Sequence, residues 1–165
     1  MKKLALTDFT KYRYPSALEL SPDGRYLTFA LKEVDREGDG YRWNLWLYDL
    51  ESRESRQITR GDHQRQAVWE DNTHILYKTT ELDEAMRARG FEEEWTVYHR
   101  LNVCTGEECE AFRLPMSVSG LWKMDEGRYV FTGETHLDRP NLLELTGEAL
   151  EKELVRRQQT KGYKV

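Results

Sequence analysis

A chain of 165 residues is long enough to form a hydrophobic core of its own, so neither a metal nor a disulfide framework is needed to stabilise it. The net charge of −5 argues against a nucleic-acid partner, because phosphate binding needs a surplus of Lys and Arg along one face. The two cysteines are too few for a disulfide scaffold and fit a reducing compartment.

The first residues are not expected to act as an export signal. Met1-Lys2-Lys3 has the charge that such a signal begins with, but the short apolar run after it ends before Thr7 and Asp8. No stretch of the chain approaches the 18 or so apolar residues that a membrane-spanning helix needs. We therefore predict a lead-in over residues 1–15 of a cytoplasmic protein with no membrane partner.

A turn followed by a strand recurs three times along the chain, at residues 21–29, 67–77 and 120–131. In each copy, polar or turn-forming residues precede a strand in which apolar residues alternate with others. Matched strand residues are 48 positions apart between the first two copies, from Leu27 to Ile75, and 54 positions apart between the last two, from Ile75 to Tyr129. Repeats of this length are typical of β-propeller blades, which are four-stranded antiparallel units that bury their faces against neighbouring blades.

Further strands complete the first two repeats. A third strand is predicted in every repeat, over residues 44–50, 95–103 and 141–145. A polar turn then leads to a fourth strand that ends at residues 57–59 in the first repeat and 111–114 in the second. The third repeat lacks this fourth strand, so it is an incomplete blade.

Residues 147–160 are predicted to form a helix instead. Leu150, Leu154 and Val155 share one stripe of this segment, with acidic residues early and basic residues late, as the helix dipole favours. Residues 82–89 are predicted to form another short helix. The predicted fold class is all-β: a single partial propeller domain over 1–165, with blade 1 at 16–60, blade 2 at 61–115, an incomplete blade 3 at 116–146 and the C-terminal helix at 147–160.

Three segments of the first blade carry a family resemblance: SPDGRYLTF at 21–29, NLWLYD at 44–49 and QIT at 57–59. They resemble the propeller repeat of the prolyl oligopeptidase family, particularly its acylaminoacyl-peptidase-like branch. The same S-P-D-G and W-x-Y-D pieces also occur in TolB-like propellers, which bind partners and catalyse nothing.

The resemblance implies a role without catalysis in this chain. In that peptidase family the propeller precedes an α/β-hydrolase domain, whose Ser, Asp and His hydrolyse short or N-acylated peptides, and it restricts which substrates reach them. No G-x-S-x-G nucleophile motif occurs here, so no catalytic residue is carried over. The implied partners are peptide substrates of the parent enzyme, the remaining blades and the hydrolase domain. The alternative is a TolB-like or other interaction propeller, which the absence of an export signal disfavours.

Metal and cofactor sites are not predicted. Residues 35–40 have the acidic spacing of a calcium loop, but Trp46 stands where the loop needs a bidentate carboxylate. Cys104 and Cys109 are expected to be ordinary thiols that face one another across a hairpin, close enough for a disulfide if oxidised. They lack the further ligands of a zinc site.

The histidines and the remaining motifs are expected to be structural. No serine nucleophile motif accompanies any of the four histidines, which are His63, His74, His99 and His136. The Arg-Gly-Asp sequence at 60–62 is interpreted as a turn between blades, and the acidic run at 91–94 as a solvated rim.

The tryptophans allow two interpretations. Trp46, Trp69 and Trp122 recur at matching blade positions, which predicts packing between blades. The alternative is a ligand groove that Trp43 and Trp95 would also line. Because the end blades of a partial propeller expose flat apolar faces, we expect the isolated chain to self-associate, unless the helix at 147–160 covers one of them.

Overall fold

The computed structural model describes residues 5, 7–79, 95–125, 127–133 and 139–160. Contacts divide the chain into two compact units. The first comprises residues 1–79 and 98–111, and the second comprises residues 80–97 and 112–165. Of the helices in the described ranges, none combines the length and the apolar composition that crossing a membrane requires.

Four strands that follow one another along the chain form the first antiparallel sheet: β1 (Tyr14–Leu20), β2 (Tyr26–Asp35), β3 (Gly40–Asp49) and β4 (Glu54–Gln57). Strands β2 and β3 pair without interruption from Tyr26 opposite Asp49 to Asp35 opposite Gly40. Strand β1 carries a bulge before Glu19, where Ala17 has a φ of 49°. The predicted four-stranded meander is confirmed.

The turn between β1 and β2 is stabilised by its own side chains and by a glycine with a positive φ. The Ser21 hydroxyl donates to Asp23 Oδ1 at 2.6 Å and accepts from the Tyr26 N–H at 2.9 Å. Gly24 has a φ of 74°, a left-handed conformation that a residue with a Cβ adopts only under strain. Ser21, Asp23 and Gly24 therefore each stabilise the turn locally.

The second sheet repeats the same order with β5 (Ala67–Trp69), β6 (His74–Thr79), β7 (Thr96–Asn102) and β8 (Glu108–Leu114). In β5 and β6, Trp69 lies opposite Ile75 and Ala67 lies opposite Tyr77. The predicted helix at 82–89 and the acidic run at 91–94 lie outside the described residues.

The core of the first unit forms where one face of each sheet is apolar. Since cross-strand partners share a face, the pairing of Ala30 with Leu45 and of Trp69 with Ile75 aligns the two apolar faces. Burial of these side chains provides the main stabilisation of the unit. The buried members of this core are Ala30, Leu45, Leu47, Ala67, Trp69, Ile75, Tyr77, Leu101 and Val103.

The second unit contains a two-stranded sheet of β9 (Val118–Lys123) and β10 (Tyr129–Gly133), and a helix, α1 (Gly147–Thr160). The predicted C-terminal helix is confirmed. The strand predicted over 141–145 is wrong, because Leu142–Glu144 forms a 3-10 helix. The Asn141 side chain accepts a hydrogen bond from the Leu143 N–H and so begins this turn, and Leu142 is buried against Leu154 of α1.

The tryptophans do not play equivalent roles. Trp69 is 4% exposed in the core, whereas Trp122, at the corresponding position of the third hairpin, is 49% exposed. The predicted burial of Trp122 is wrong because its ring folds back along its own strand over Gly120, whose missing side chain leaves the room. Trp46 is half-buried, and its ring stacks on Phe29, its partner on the face opposite the core.

Candidate functional site

An Asp–His pair at the turn before β6 is the arrangement in the described residues that most resembles part of a catalytic site. His74 Nδ1 lies 3.0 Å from Asp71 Oδ2, and His74 Nε2 lies 3.2 Å from the Asn102 amide nitrogen. In a hydrolase triad, the second ring nitrogen faces a Ser or Cys nucleophile. Here an amide occupies that place, and the Thr73 hydroxyl lies 3.1 Å from the same ring nitrogen that faces Asp71, so these side chains do not form a triad.

Asp71 acts instead as the acceptor that closes the turn. Its carboxylate accepts hydrogen bonds from the backbone N–H groups of Thr73 and His74, both at 2.7 Å. Desolvation acts to raise its pKa, but these hydrogen bonds outweigh that effect and lower the pKa of Asp71 to about 2. The cluster therefore stabilises the ionised carboxylate and the turn around it.

Replacing Asp71 by Asn is expected to reduce stability at neutral pH but not in acid. The folded-state pKa of about 2 lies below the ordinary value of 3.8, so the stabilisation is present above about pH 4 and is lost as the pH falls towards 2. Because the carboxylate is more than half exposed, we expect a loss of about 1 kcal/mol at pH 7. Urea unfolding of both proteins at several pH values measures it.

The matched control is Asp125→Asn, whose carboxylate pairs with Arg128 while both side chains remain exposed. This variant should differ from the parent protein by only a few tenths of a kcal/mol, about the value of a surface ion pair. A stability deficit of Asp71→Asn that stays constant from neutral pH down to pH 2 would show that ionised Asp71 has no special role.

The two cysteines are free and exposed thiols. Cys104, in the turn after β7, has its Sγ 3.9 Å from the Tyr26 hydroxyl, while Cys109 lies on β8. Desolvation, with the neighbouring thiol, raises the pKa of the Tyr26 phenol. In the part of the chain that the structure describes, no group of three or more His, Cys, Asp or Glu side chains is placed to hold a metal ion.

The other histidines considered from the sequence lie on different elements and have different neighbours. His99 Nδ1 lies 2.6 Å from Glu108 Oε1, which also accepts from the Tyr77 hydroxyl at 2.6 Å. His63 is exposed and forms an isolated bridge with Trp43. His136 lies outside the described residues. The three histidines within the described residues therefore have separate partners and do not form one site.

The Arg-Gly-Asp sequence and the calcium-like loop are both engaged within the fold. The Asp62 carboxylate accepts from the Asn44 amide at 2.8 Å, and the Asp62 N–H donates to the Asn44 oxygen at 3.2 Å. This reciprocal pair holds the turn at 60–62 against β3. Asp35 accepts from the Glu37 N–H at 3.1 Å and lies 4.0 Å from Arg42, so its carboxylate orders the loop that follows β2.

Known structures with the same fold include two proteins from Pyrococcus. The β-propeller domain of the Trilobed protease from Pyrococcus furiosus matches with a TM-score of 0.54 and 13% identity, over 74% of this chain and 34% of that chain. The acylaminoacyl peptidase from Pyrococcus horikoshii matches with a TM-score of 0.59 and 13% identity, over 80% of this chain and 19% of that chain. The fold is that of part of a β-propeller.

The propeller fold confirms what the turn and strand repeats predicted. At 13% identity the similarity establishes the fold alone, and no protein-family model or curated protein matches the sequence. This propeller chain spans about a third of the first matched protein and about a fifth of the second. The resemblance of its blade repeat to acylaminoacyl-peptidase propellers is thus confirmed at the level of three-dimensional structure.

Proposed function

We propose that this chain is the non-catalytic propeller segment of a serine peptidase resembling acylaminoacyl peptidases, and that it restricts substrate access to a separate hydrolase domain. The observation that carries the proposal is the structural similarity to an acylaminoacyl peptidase over 80% of this chain. The short segments SPDGRYLTF, NLWLYD and QIT support the same assignment. The substrates of the parent enzyme would be short or N-acylated peptides.

The side-chain geometry supports a role without catalysis. Among the described residues, the Asp–His pair of Asp71 and His74 has its remaining ring nitrogen beside Asn102, and no Ser hydroxyl is hydrogen-bonded to a histidine. Acyl transfer by a serine enzyme needs that hydroxyl within hydrogen-bond reach of the base. The chemistry is therefore assigned to another domain.

The purified chain is expected to be inert towards serine-directed reagents. It should not hydrolyse acyl-peptide or ester substrates, and a fluorophosphonate probe should label none of its serines. Mass spectrometry of the intact chain measures labelling, with a serine hydrolase as the positive control. Stoichiometric labelling of any serine would contradict the proposal.

Restriction of access is tested in the polypeptide that contains this segment. Deleting residues 1–165 should raise the rate of cleavage of long peptides relative to that of a short acyl-peptide substrate. The propeller segment would block access of the long peptides, whereas the short substrate would reach the hydrolase domain with or without it. Retained hydrolysis of the short substrate shows that the hydrolase domain still folds. An unchanged ratio of the two rates would argue for an interaction propeller instead.

We also propose that the parent protein is cytoplasmic and that the isolated chain self-associates. Large apolar side chains are exposed together on β1 and just before it, with Leu18 reaching 62% exposure. Large apolar side chains that are exposed along one short segment of a soluble protein offer a contact surface. This exposed set comprises Phe9, Tyr12, Tyr14, Leu18 and Leu20.

Light scattering coupled to gel filtration is expected to give a mass above the monomer at tens of micromolar. Replacing Leu18 and Leu20 together by Ser should shift the protein towards the monomer, since both side chains are exposed and their loss leaves the core intact. A single monomeric peak of the unmodified chain at all concentrations would refute self-association.

A further inference from the structure

One face of the first sheet combines aromatic rings with two cations. Cross-strand partners share a face, so the pairing of Tyr14 with Lys32 and of Lys32 with Trp43 places these three side chains in one row across β1, β2 and β3. Tyr41, two residues before Trp43, lies on the same face. We call the set of Tyr14, Lys32, Tyr41, Trp43 and Arg65 the aromatic–cationic face.

Arg65 reaches this face from the segment that joins the two sheets of the first unit. The Trp43 N–H donates to the Asp62 carbonyl at 2.9 Å, and the Gln64 N–H donates to the Trp43 carbonyl at 3.0 Å. These backbone bonds fix residues 62–64 along β3. As a result, the Arg65 guanidinium lies over the Trp43 ring, with its central carbon 4.1 Å from the ring centre.

Both cations are held by aromatic rings. The Lys32 ammonium lies 3.7 Å from the centre of the Tyr41 ring and 5.4 Å from the centre of the Trp43 ring. The tyrosine and tryptophan rings are themselves 5.9 Å apart. Cation–π attraction of this kind positions a charge without neutralising it, because the ring carries no net charge.

Neither cation has a carboxylate partner in the described part of the chain. Glu33 pairs with Arg13 at 2.6 Å and Asp35 lies 4.0 Å from Arg42, both on the opposite face of the same strands. The Asp62 carboxylate, on the segment beside β3, accepts from the Asn44 amide at 2.8 Å. The chain has a net charge of −5, so two fixed cations without carboxylate partners on one face form a local excess of positive charge. Such an excess attracts negatively charged groups.

We propose that the aromatic–cationic face binds an extended acidic peptide segment of a partner protein. In an extended peptide, carboxylates two residues apart lie on the same side, about 6.6 Å from one another. Lys32 and Arg65 both lie within 5.4 Å of the Trp43 ring centre, so one carboxylate can reach each of them. The planar Arg65 guanidinium suits bidentate binding of a carboxylate.

The half-exposed tyrosine rings supply the rest of the surface. Tyr14 and Tyr41 are both exposed on this face, so the CH2 groups of the peptide's acidic side chains can pack against their rings, while the residue between the two carboxylates points away from the sheet. An oligonucleotide offers phosphates and stacking bases, but the overall negative charge of the chain opposes its long phosphate backbone. This inference does not depend on the proposed peptidase role.

Fluorescence anisotropy with a fluorescein-labelled, end-capped peptide of alternating Glu and Ser tests the proposal, at about 50 mM NaCl, where screening is weak. The full chain should bind this peptide saturably and should bind the Gln version at least tenfold more weakly. Arg65→Gln should weaken binding about fivefold, and Lys32→Gln by a similar factor, the size expected for a charge-assisted contact at a partly exposed site.

Two control variants make the result specific. Arg42→Gln removes a cation from the opposite face of β3 and should leave peptide binding unchanged. Lys32→Arg keeps the charge and should retain binding, and the exposed Arg65 provides a variant that is expected to fold normally even where Lys32→Gln does not. Equal binding of the Glu and Gln peptides, equal losses in Arg42→Gln and Arg65→Gln, or tighter binding of a single-stranded oligonucleotide would each overturn the proposal.

Discussion

Replacing Trp69 by Ala is expected to lower the free energy of unfolding by about 3 to 5 kcal/mol, out of a total of about 5 to 15 for a domain of this size. The ring is 4% exposed and stacks on Tyr26 at a centroid distance of 6.4 Å. Its indole N–H also donates to the Glu19 carbonyl at 3.2 Å, so the substitution removes a hydrogen bond as well as buried area. Urea unfolding followed by circular dichroism measures the loss.

Trp122→Ala is the matched control, because Trp122 occupies the corresponding position of the third hairpin but is 49% exposed. Its replacement should change the free energy of unfolding by only about 0.5 kcal/mol. Two variants with similar midpoints would show that Trp69 does not anchor a core between the two sheets.

Replacing Glu153 by Ala is expected to cost about 3 kcal/mol in the second unit, because it removes a buried carboxylate that pairs with both Arg156 and Arg157. The Glu153 side chain is 8% exposed, and it accepts from Arg157 Nε at 3.1 Å. Arg157 is itself 11% exposed and donates to the Pro140 carbonyl at 2.6 Å, so it cannot move into solvent without breaking that bond. Amide hydrogen exchange in α1 should accelerate about a hundredfold.

Glu148→Ala tests whether burial is the cause. Glu148 forms an ion pair with Lys152 in the same helix at 2.7 Å, but both side chains are mostly exposed. Such pairs contribute about 0.3 to 0.5 kcal/mol, so hydrogen exchange in α1 should barely change. Equal acceleration in the two variants would mean that Glu153 contributes only as a helix surface residue.

The parts of the fold that the sequence predicted are those with local causes. The turn from Ser21 to Gly24 is encoded by side chains that bond within it, and the alternation in β2 and β3 reflects one face directed at a core. The strand predicted at 141–145 failed for a tertiary reason, since Leu142 is buried against Leu154 in the helix that follows. Local alternation does not contain that contact.

The aromatic–cationic face was less predictable from the sequence than the fold. Trp43 entered the sequence analysis only as one wall of a possible ligand groove, and neither Lys32 nor Arg65 was singled out. Their proximity depends on the register of β2 against β3 and on backbone bonds of residues 62–64. Exposure of Trp122 likewise depends on Gly120, two residues earlier, which provides room for the ring on the strand itself.

Our central proposal is that this propeller chain works with a separate serine hydrolase domain, which carries the catalytic serine. The most direct measurement is fluorophosphonate labelling of the polypeptide that an antibody against residues 1–165 precipitates from the source cells. We predict a labelled polypeptide larger than the 19.6 kDa chain, together with no labelling of the purified chain. An unlabelled precipitate, or labelling of the purified chain itself, would contradict the account.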